Sequence, residues 1–141
     1  VNFLKNIVPF TSSDDDDVRD IAETMELKAF HPKDIVIGKG TQGTEFYIIF
    51  SGLIKVSLYD NDGKEKIIGF LGEGDCFGEI SLLTQGPNTT DIQAVEETVC
   101  LVQEGQSFLQ MTNKHPLFKK FFNQLLFPVH CMLVSVFLPE K

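Results

Sequence analysis

Residues 35–58 read IVIGKGTQGTEFYIIFSGLIKVSL, and they decide the fold. Short apolar runs alternate here with glycine-rich breaks. In the last run, Ile54, Val56 and Leu58 alternate with more polar neighbours, and a period of two predicts a half-buried β-strand. Closely spaced glycines, such as those of residues 38–43, favour sharp corners in a rolled antiparallel sheet.

The same pattern extends to both sides of this stretch, from Phe30 to Gln103. The Asp-Asn-Asp-Gly segment at residues 60–63 predicts a hairpin turn, because these residue types accept the positive φ that such turns require. We therefore predict a mainly β fold. Its strand-forming runs are DIVI (34–37), FYIIF (46–50), LIKVSLY (53–59), KIIGFL (66–71), DIQAV (91–95) and TVCLVQ (98–103).

Helical patterns flank this β-rich part. Two serines and four aspartates at residues 12–17 predict a helix start, because hydroxyls cap free N–H groups and carboxylates suit the positive end of the helix dipole. After Gly105, residues 107–111 predict a short helix, and Pro116 suits the first turn of another helix that runs to residue 126. The N-terminal helix places apolar side chains at helical spacing, at Val18, Ile21, Ala22 and Met25.

These patterns together predict one domain over residues 1–141. An N-terminal helical part (1–29) precedes an antiparallel β-roll of the jelly-roll type (30–104), and C-terminal helices with an apolar tail follow (105–141). The tail segment at residues 125–138, LLFPVHCMLVSVFL, is shorter than the roughly 20 residues of a spanning helix. We therefore expect no membrane span, and we interpret the tail as a buried or dimer-forming segment that would support a homodimer.

Composition and charge disfavour several classes of function. With 43% apolar residues and a net charge of −8, the chain fits a soluble globular protein that makes no direct contact with nucleic acid. Three cysteines in no paired spacing, without a secretory signal, fit reduced thiols in the cytoplasm. No C-x-x-C or H-x-x-x-H pattern indicates a metal site. Since no nucleophile is paired with a base, we expect no catalytic residues and no enzyme.

The segment GKGTQG at residues 38–43 matches the glycine pattern of dinucleotide-binding proteins. In those proteins the glycines lead into a helix, whose N-terminus binds the pyrophosphate. Here a strand-forming run follows instead. We therefore interpret these glycines as a corner of the roll.

Residues 77–90 read FGEISLLTQGPNTT, and they form a second informative stretch. A helical turn is predicted to begin at Gly78-Glu79, and a Gly-Pro turn leads into Thr89 and Thr90. Backbone N–H groups at a helix start favour an anion. The stretch therefore indicates an anion-binding loop, although it contains no basic residue.

With residues 35–58 upstream, and with Pro87 and Ala94 at matching spacing, the chain resembles the cyclic-nucleotide-binding domains of the catabolite activator protein, protein kinase A regulatory subunits and cyclic-nucleotide-gated channels. The match runs from about residue 3 to residue 126. The resemblance implies backbone N–H contacts from Gly78 and Ile80 to the phosphate, and a bond from the ribose 2′-OH to Glu79. It implies a ligand site at Phe77, Gly78, Glu79, Ile80, Ser81, Asn88, Thr89 and Thr90.

The chain departs from this pattern at Asn88, where the resemblance implies an arginine that neutralises the phosphate. Asp91 adds a carboxylate close by, and residues 67–113 contain no lysine or arginine. A hydrogen bond to a charged group contributes about 1.5–3 kcal/mol, so its loss weakens phosphate binding on the order of 10- to 100-fold. Glu79 remains open to a purely structural role, and Thr89 and Thr90 to an ordinary role at a strand start.

Two functional readings follow. The first is a regulatory ligand-sensing module that requires no cofactor and holds cAMP or cGMP weakly, or binds another small molecule without a full negative charge. Ligand occupancy would reposition the C-terminal helices and so act on an attached output domain. The second is a degenerate β-roll that serves as a protein-interaction or dimerisation module through the apolar tail.

Overall fold

The computed structural model describes residues 2–5, 15–115, 118 and 120, which form four helices and eight strands. The helices are α1 (Asn2–Lys5), α2 (Asp15–Glu23), α3 (Glu79–Thr84) and α4 (Gly105–Lys114). The strands are β1 (Met25–Phe30), β2 (Ile35–Ile37), β3 (Glu45–Ser51), β4 (Ile54–Tyr59), β5 (Glu65–Leu71), β6 (Cys76–Phe77), β7 (Asp91–Ala94) and β8 (Thr98–Glu104).

The strands form two antiparallel sheets of four strands each. The first sheet has the order β1-β8-β3-β6, and the second has the order β2-β7-β4-β5. Strands adjacent in sequence often lie in different sheets, so the chain winds between them as a roll does. The predicted mainly β fold, a β-roll with flanking helices, is confirmed.

Strand β3 is buried on both faces over residues 46–49, the first four of its apolar run FYIIF, whereas Phe50 at the end of the run is exposed. Its side chains alternate between two clusters, each stabilised by about 1.5–3 kcal/mol per large apolar side chain. The helical core comprises Leu4, Val18, Ile21, Phe46, Ile48, Leu82, Phe108, Met111 and Phe118. The roll core comprises Ile37, Tyr47, Ile49, Ile54, Phe77, Ile92, Cys100 and Val102.

The predicted hairpin at residues 60–63 is confirmed and joins β4 to β5. Asp60 Oδ1 accepts hydrogen bonds from the backbone N–H groups of Asp62 and Lys64, each at 2.9 Å. Gly63 has a φ of 80°, which is why a glycine suits this position.

Two sequence-based boundaries need correction. Met25 begins β1 and is not part of the preceding helix, so the N-terminal part is not helical throughout residues 1–29. The physical reason is that β1 is an edge strand with four exposed side chains, so no alternation marked it as a strand. The short β6 was also missed, and α4 is longer than residues 107–111. His115 is extended at the end of α4, as expected for a residue before proline.

Several predictions lie outside the described residues. These are the serine pair at 12–13, most of the second C-terminal helix (116–126), and the apolar tail with its dimer contact. Within the part of the chain that the structure describes, no helix is long and apolar enough to cross a membrane.

Candidate functional site

A cavity of about 260 Å³ lies between the second sheet and α3 with the loop that follows it. All the residues predicted for the ligand site line this one cavity: Phe77, Gly78, Glu79, Ile80, Ser81, Asn88, Thr89 and Thr90. The fold thus brings residues 77–81 and residues 88–90, which are separated in sequence by the rest of α3 and the turn after it, to one cavity. Their role in binding remains a prediction.

The residues predicted for the ligand site do not include the rest of the cavity lining. Residues of β4, β5, β6 and β7 and the proline of the loop form it: Val56, Ile68, Gly69, Leu71, Cys76, Pro87 and Ile92. Inward alternation along β4 and β7 was a usable signal for Val56 and Ile92. The same signal does not identify the lining residues of β5. A register shift there leaves Ile68 without a paired residue on β4 and interrupts the alternation of inward and outward side chains.

Gly78 sets the close approach of α3 to the first sheet. Its φ of 89° lies in the left-handed region, and a Cβ there would come within 2.7 Å of the Glu45 carbonyl oxygen. The rings of Tyr47 and Phe77 stack beside it, with centroids 4.7 Å apart. Since Gly78 has no side chain, it cannot cap the N–H groups of the first turn of α3.

Glu79 places a carboxyl group in this buried environment. Its side chain is 7% exposed, and Oε2 has no hydrogen-bond partner among the described residues. Burial raises the pKa of this carboxyl to about 7, against a smaller lowering by a backbone hydrogen bond. An unpaired buried acceptor is costly, so the arrangement suits a ligand that brings a hydroxyl donor.

Ser81 has its hydroxyl group engaged by the protein itself. The hydroxyl accepts a hydrogen bond from the Gly43 N–H at 3.0 Å and donates one to the Gly86 carbonyl at 2.5 Å. Ser81 is also 2% exposed. Its side chain therefore fastens α3 to the β2–β3 turn and to the loop, and a ligand hydrogen bond would have to come from its main chain.

Asn88 is bonded to the same turn. Its side-chain amide donates to the Thr41 carbonyl at 3.0 Å and to Thr41 Oγ1 at 3.2 Å. Its backbone N–H also donates to the Thr41 carbonyl, and its carbonyl accepts from the Gly40 N–H. We call this arrangement the Thr41–Asn88 contact. Beside it, Asp91 Oδ1 accepts from the Lys39 N–H at 2.8 Å.

Over the residues that the structure describes, the cavity lining carries no positively charged side chain to balance a bound phosphate. None of the described residues that line it is Lys, Arg or His, and the lining residues from β4, β5 and β7 are apolar side chains and a glycine. Arg19, the chain's single arginine, lies on α2, where it forms an exposed ion pair with Asp16 at 3.4 Å. In the described part of the chain, no three metal-binding side chains gather as a metal site requires.

Comparison with known proteins identifies the family. A family model described as the cyclic nucleotide-binding domain matches residues 27–115. The cAMP-dependent protein kinase type II regulatory subunit of Drosophila melanogaster is 30% identical over 127 residues, which cover 89% of this chain and 32% of that protein. The chain spans between about a tenth and a third of the length of the curated relatives that it matches.

Two solved structures illustrate the likeness. The regulatory subunit of a cAMP-independent protein kinase A from Trypanosoma brucei has a TM-score of 0.69 and 27% identity, covering 88% of this chain and 49% of that one. A triple mutant of that subunit, in which one change introduces an arginine, is bound to cAMP in its A site. The Thermus thermophilus catabolite activator protein, at 22% identity over 90% of this chain and 59% of its own, shares the fold with a TM-score of 0.76.

The family match covers more than half of the chain, and it falls on the β-roll and on the cavity described above. The chain is homologous to the regulatory parts of cAMP- and cGMP-dependent protein kinases. It therefore belongs to the cyclic nucleotide-binding domain family.

Proposed function

We propose that this chain is a cytoplasmic regulatory module whose cavity holds cAMP or cGMP weakly and accommodates a related ligand without a full negative charge, such as a nucleoside. The hydroxyl-accepting carboxyl of Glu79 and the apolar walls suit a sugar and a base. The N–H groups at the start of α3 suit a weakly held anion or a polar uncharged group.

The Thr41–Asn88 contact is the observation that carries this proposal. Both interactions of the Asn88 side-chain amide are made with Thr41, across the loop from the helix start. Asn88 thus stabilises the loop, and it supplies no charge to offset that of a phosphate. The remaining described lining residues supply no cation either.

The Trypanosoma brucei relative supports the proposal by analogy. That protein is a cAMP-independent kinase subunit, and its cAMP-bound form carries substitutions that introduce an arginine. In this cavity a cation at a suitable position would strengthen phosphate binding, because hydrogen bonds to charged groups are the stronger ones.

Calorimetric titration with cAMP and cGMP tests the proposal. We expect weak or undetectable binding by the natural chain, and a gain on the order of 10- to 100-fold from Asn88→Arg. Asn88→Ala is the matched control, because it also loses the side-chain bonds to Thr41 but adds no charge. If Asn88→Ala also gains affinity for cAMP or cGMP, that part of the gain comes from the loss of the bonds to Thr41 and not from the added charge.

Tight, submicromolar binding of cAMP or cGMP by the natural chain would show that this cavity needs no cation to bind the phosphate, and it would overturn the proposal. If Asn88→Arg folds and gains nothing, and adenosine does not bind to the natural chain, the protein-interaction or dimerisation reading takes its place.

Helix α3 would transmit ligand occupancy to the rest of the molecule. Glu79 and Ser81 line the cavity, whereas Leu82 packs in the helical core with Phe108 and Met111 of α4. A ligand that prefers one arrangement of α3 would therefore bias α4 and whatever domain or partner follows it.

A further inference from the structure

The buried carboxyl of Glu79 is an unusual group for the wall of a largely apolar cavity. It lies on the first turn of α3, it is almost fully buried, and its Oε2 atom has no partner among the described residues. A charged carboxylate in that position would lack both water and a counter-charge, which is the costliest state for a buried acid.

The described side chains around α3 supply no positive charge that would stabilise an ionised Glu79 carboxylate. Glu45 is itself paired with Lys28 at 2.9 Å and accepts a hydrogen bond from Tyr47 at 3.0 Å. The titratable side chains on β3, β6, β7 and β8 and beside them are acids or neutral groups: Glu45, Tyr47, Asp75, Cys76, Asp91 and Glu104. On β4 and β5, Lys55 is paired with Glu65 at 3.0 Å and Lys66 is exposed. None of the described lining residues is a lysine, arginine or histidine, and burial is what opposes ionisation of Glu79.

We propose that Glu79 holds a proton while the cavity is empty, and that a hydroxyl group of the ligand displaces this proton, so that binding releases a proton to solvent. The ligand hydroxyl keeps its own hydrogen and donates it to the carboxylate oxygen. This inference rests on the proposed ligand-binding function of the same cavity, and it adds to that function a dependence on pH.

The sign of the effect follows from the pKa of Glu79, which burial raises from 4.5 to about 7. Between these two values the folded chain binds more protons than the unfolded chain, so stability falls as the pH rises and levels off above pH 7. A donated hydrogen bond stabilises the carboxylate and lowers its pKa. Ligand affinity is therefore greatest above pH 7, and it falls by up to about tenfold per pH unit below it.

The first arm of the test needs no ligand. Denaturant unfolding of the full chain is measured from pH 5 to pH 8 for the natural protein, for Glu79→Gln and for Glu73→Gln, which changes an exposed glutamate. Glutamine imitates the neutral acid and cannot ionise, and both variants keep every histidine. We expect the natural chain and Glu73→Gln to lose stability relative to Glu79→Gln as the pH rises to 7. Parallel curves for all three proteins would overturn the proposal.

The second arm uses adenosine, an uncharged molecule that carries ribose hydroxyls. Titrations at pH 7 in two buffers with different ionisation enthalpies count the protons released, and this count requires no variant to fold. Because a carboxyl with a pKa of about 7 is half protonated at pH 7, we expect the natural chain to release about half a proton and Glu79→Gln to release none. Adenosine binding without proton release would refute the exchange. If neither adenosine nor cAMP binds, the proposed function fails, while the first arm still decides whether Glu79 is protonated.

Discussion

Gly78 connects the end of β6 to the start of α3, and its φ of 89° places it in the left-handed region. Two constraints meet at this residue. The backbone conformation disfavours any side chain, and the Glu45 carbonyl and the Tyr47 ring occupy the space that a Cβ would need. The close approach of α3 to the first sheet therefore depends on the absence of a side chain at this position.

Gly78→Ala should destabilise the protein more than Gly40→Ala. Gly40 has a similar φ of 87°, but a Cβ there would meet nothing within 4 Å. The control should therefore show only the left-handed strain of about 1–2 kcal/mol. Overpacking against the Glu45 carbonyl should add a further 1–3 kcal/mol, roughly, at Gly78. Urea unfolding of both variants measures the difference in the free energy of unfolding. Equal losses of stability would show that Glu45 and Tyr47 move aside to accept the added methyl group at little cost.

Asn88 shows what the sequence could not predict at this scale. The missing arginine was visible, because the residue follows Pro87 in a recognisable pattern. The partner of Asn88 was not visible, because Thr41 lies 47 residues away and the bond depends on how two loops meet. A hydrogen bond between distant loops leaves no periodic signal in the sequence.

At the scale of elements, α3 is held in place by few but specific bonds. Ser81 joins it to both the β2–β3 turn and the loop after α3 through one buried hydroxyl. Gly43 accommodates this arrangement, because a Cβ on Gly43 would lie 2.4 Å from Ser81 Oγ. A helix of only six residues depends on such tertiary bonds for its position.

Ser81→Ala should lower stability by about 1–3 kcal/mol, because it leaves the Gly43 N–H and the Gly86 carbonyl without their shared partner. Thr84→Ala is a control in the same helix, since its hydroxyl is exposed to water: it donates to the Ile80 carbonyl and accepts a long hydrogen bond of 3.3 Å from the Gly86 N–H. The control should stay within about 0.5 kcal/mol. Thermal or urea unfolding provides the measurement, and a Ser81→Ala variant as stable as the control would show that water replaces the hydroxyl.

Whether a strand could be predicted from the sequence depended mainly on whether its side chains are buried. The six strand-forming runs between Phe30 and Gln103 all correspond to strands. Five of them place side chains in one or both cores, and β5, which packs only Leu71 against the roll core, was predicted from its apolar run KIIGFL. β1 gave no signal, because an exposed edge strand has no buried face to mark. The cavity wall on β5 was obscured for a different reason, the register shift at Ile68.

At the scale of the whole molecule, the apolar tail at residues 127–138 leads us to expect a homodimer. Light scattering should then give about twice the chain mass of 15.8 kDa. Truncation after Leu126 should return the mass to that of a monomer. A full-length chain that is monomeric at every concentration would instead make the tail part of the protein's own core.

Strand β3 has a consequence for how the molecule opens. Four consecutive residues of β3, 46–49, alternate between the helical core and the roll core, so neither core can be exposed without disturbing the same strand. The two cores should therefore unfold as one cooperative unit. In native-state hydrogen exchange, the amides of β3 and β8 should exchange last and at a common rate, and amides in the loop around Asn88 should exchange sooner.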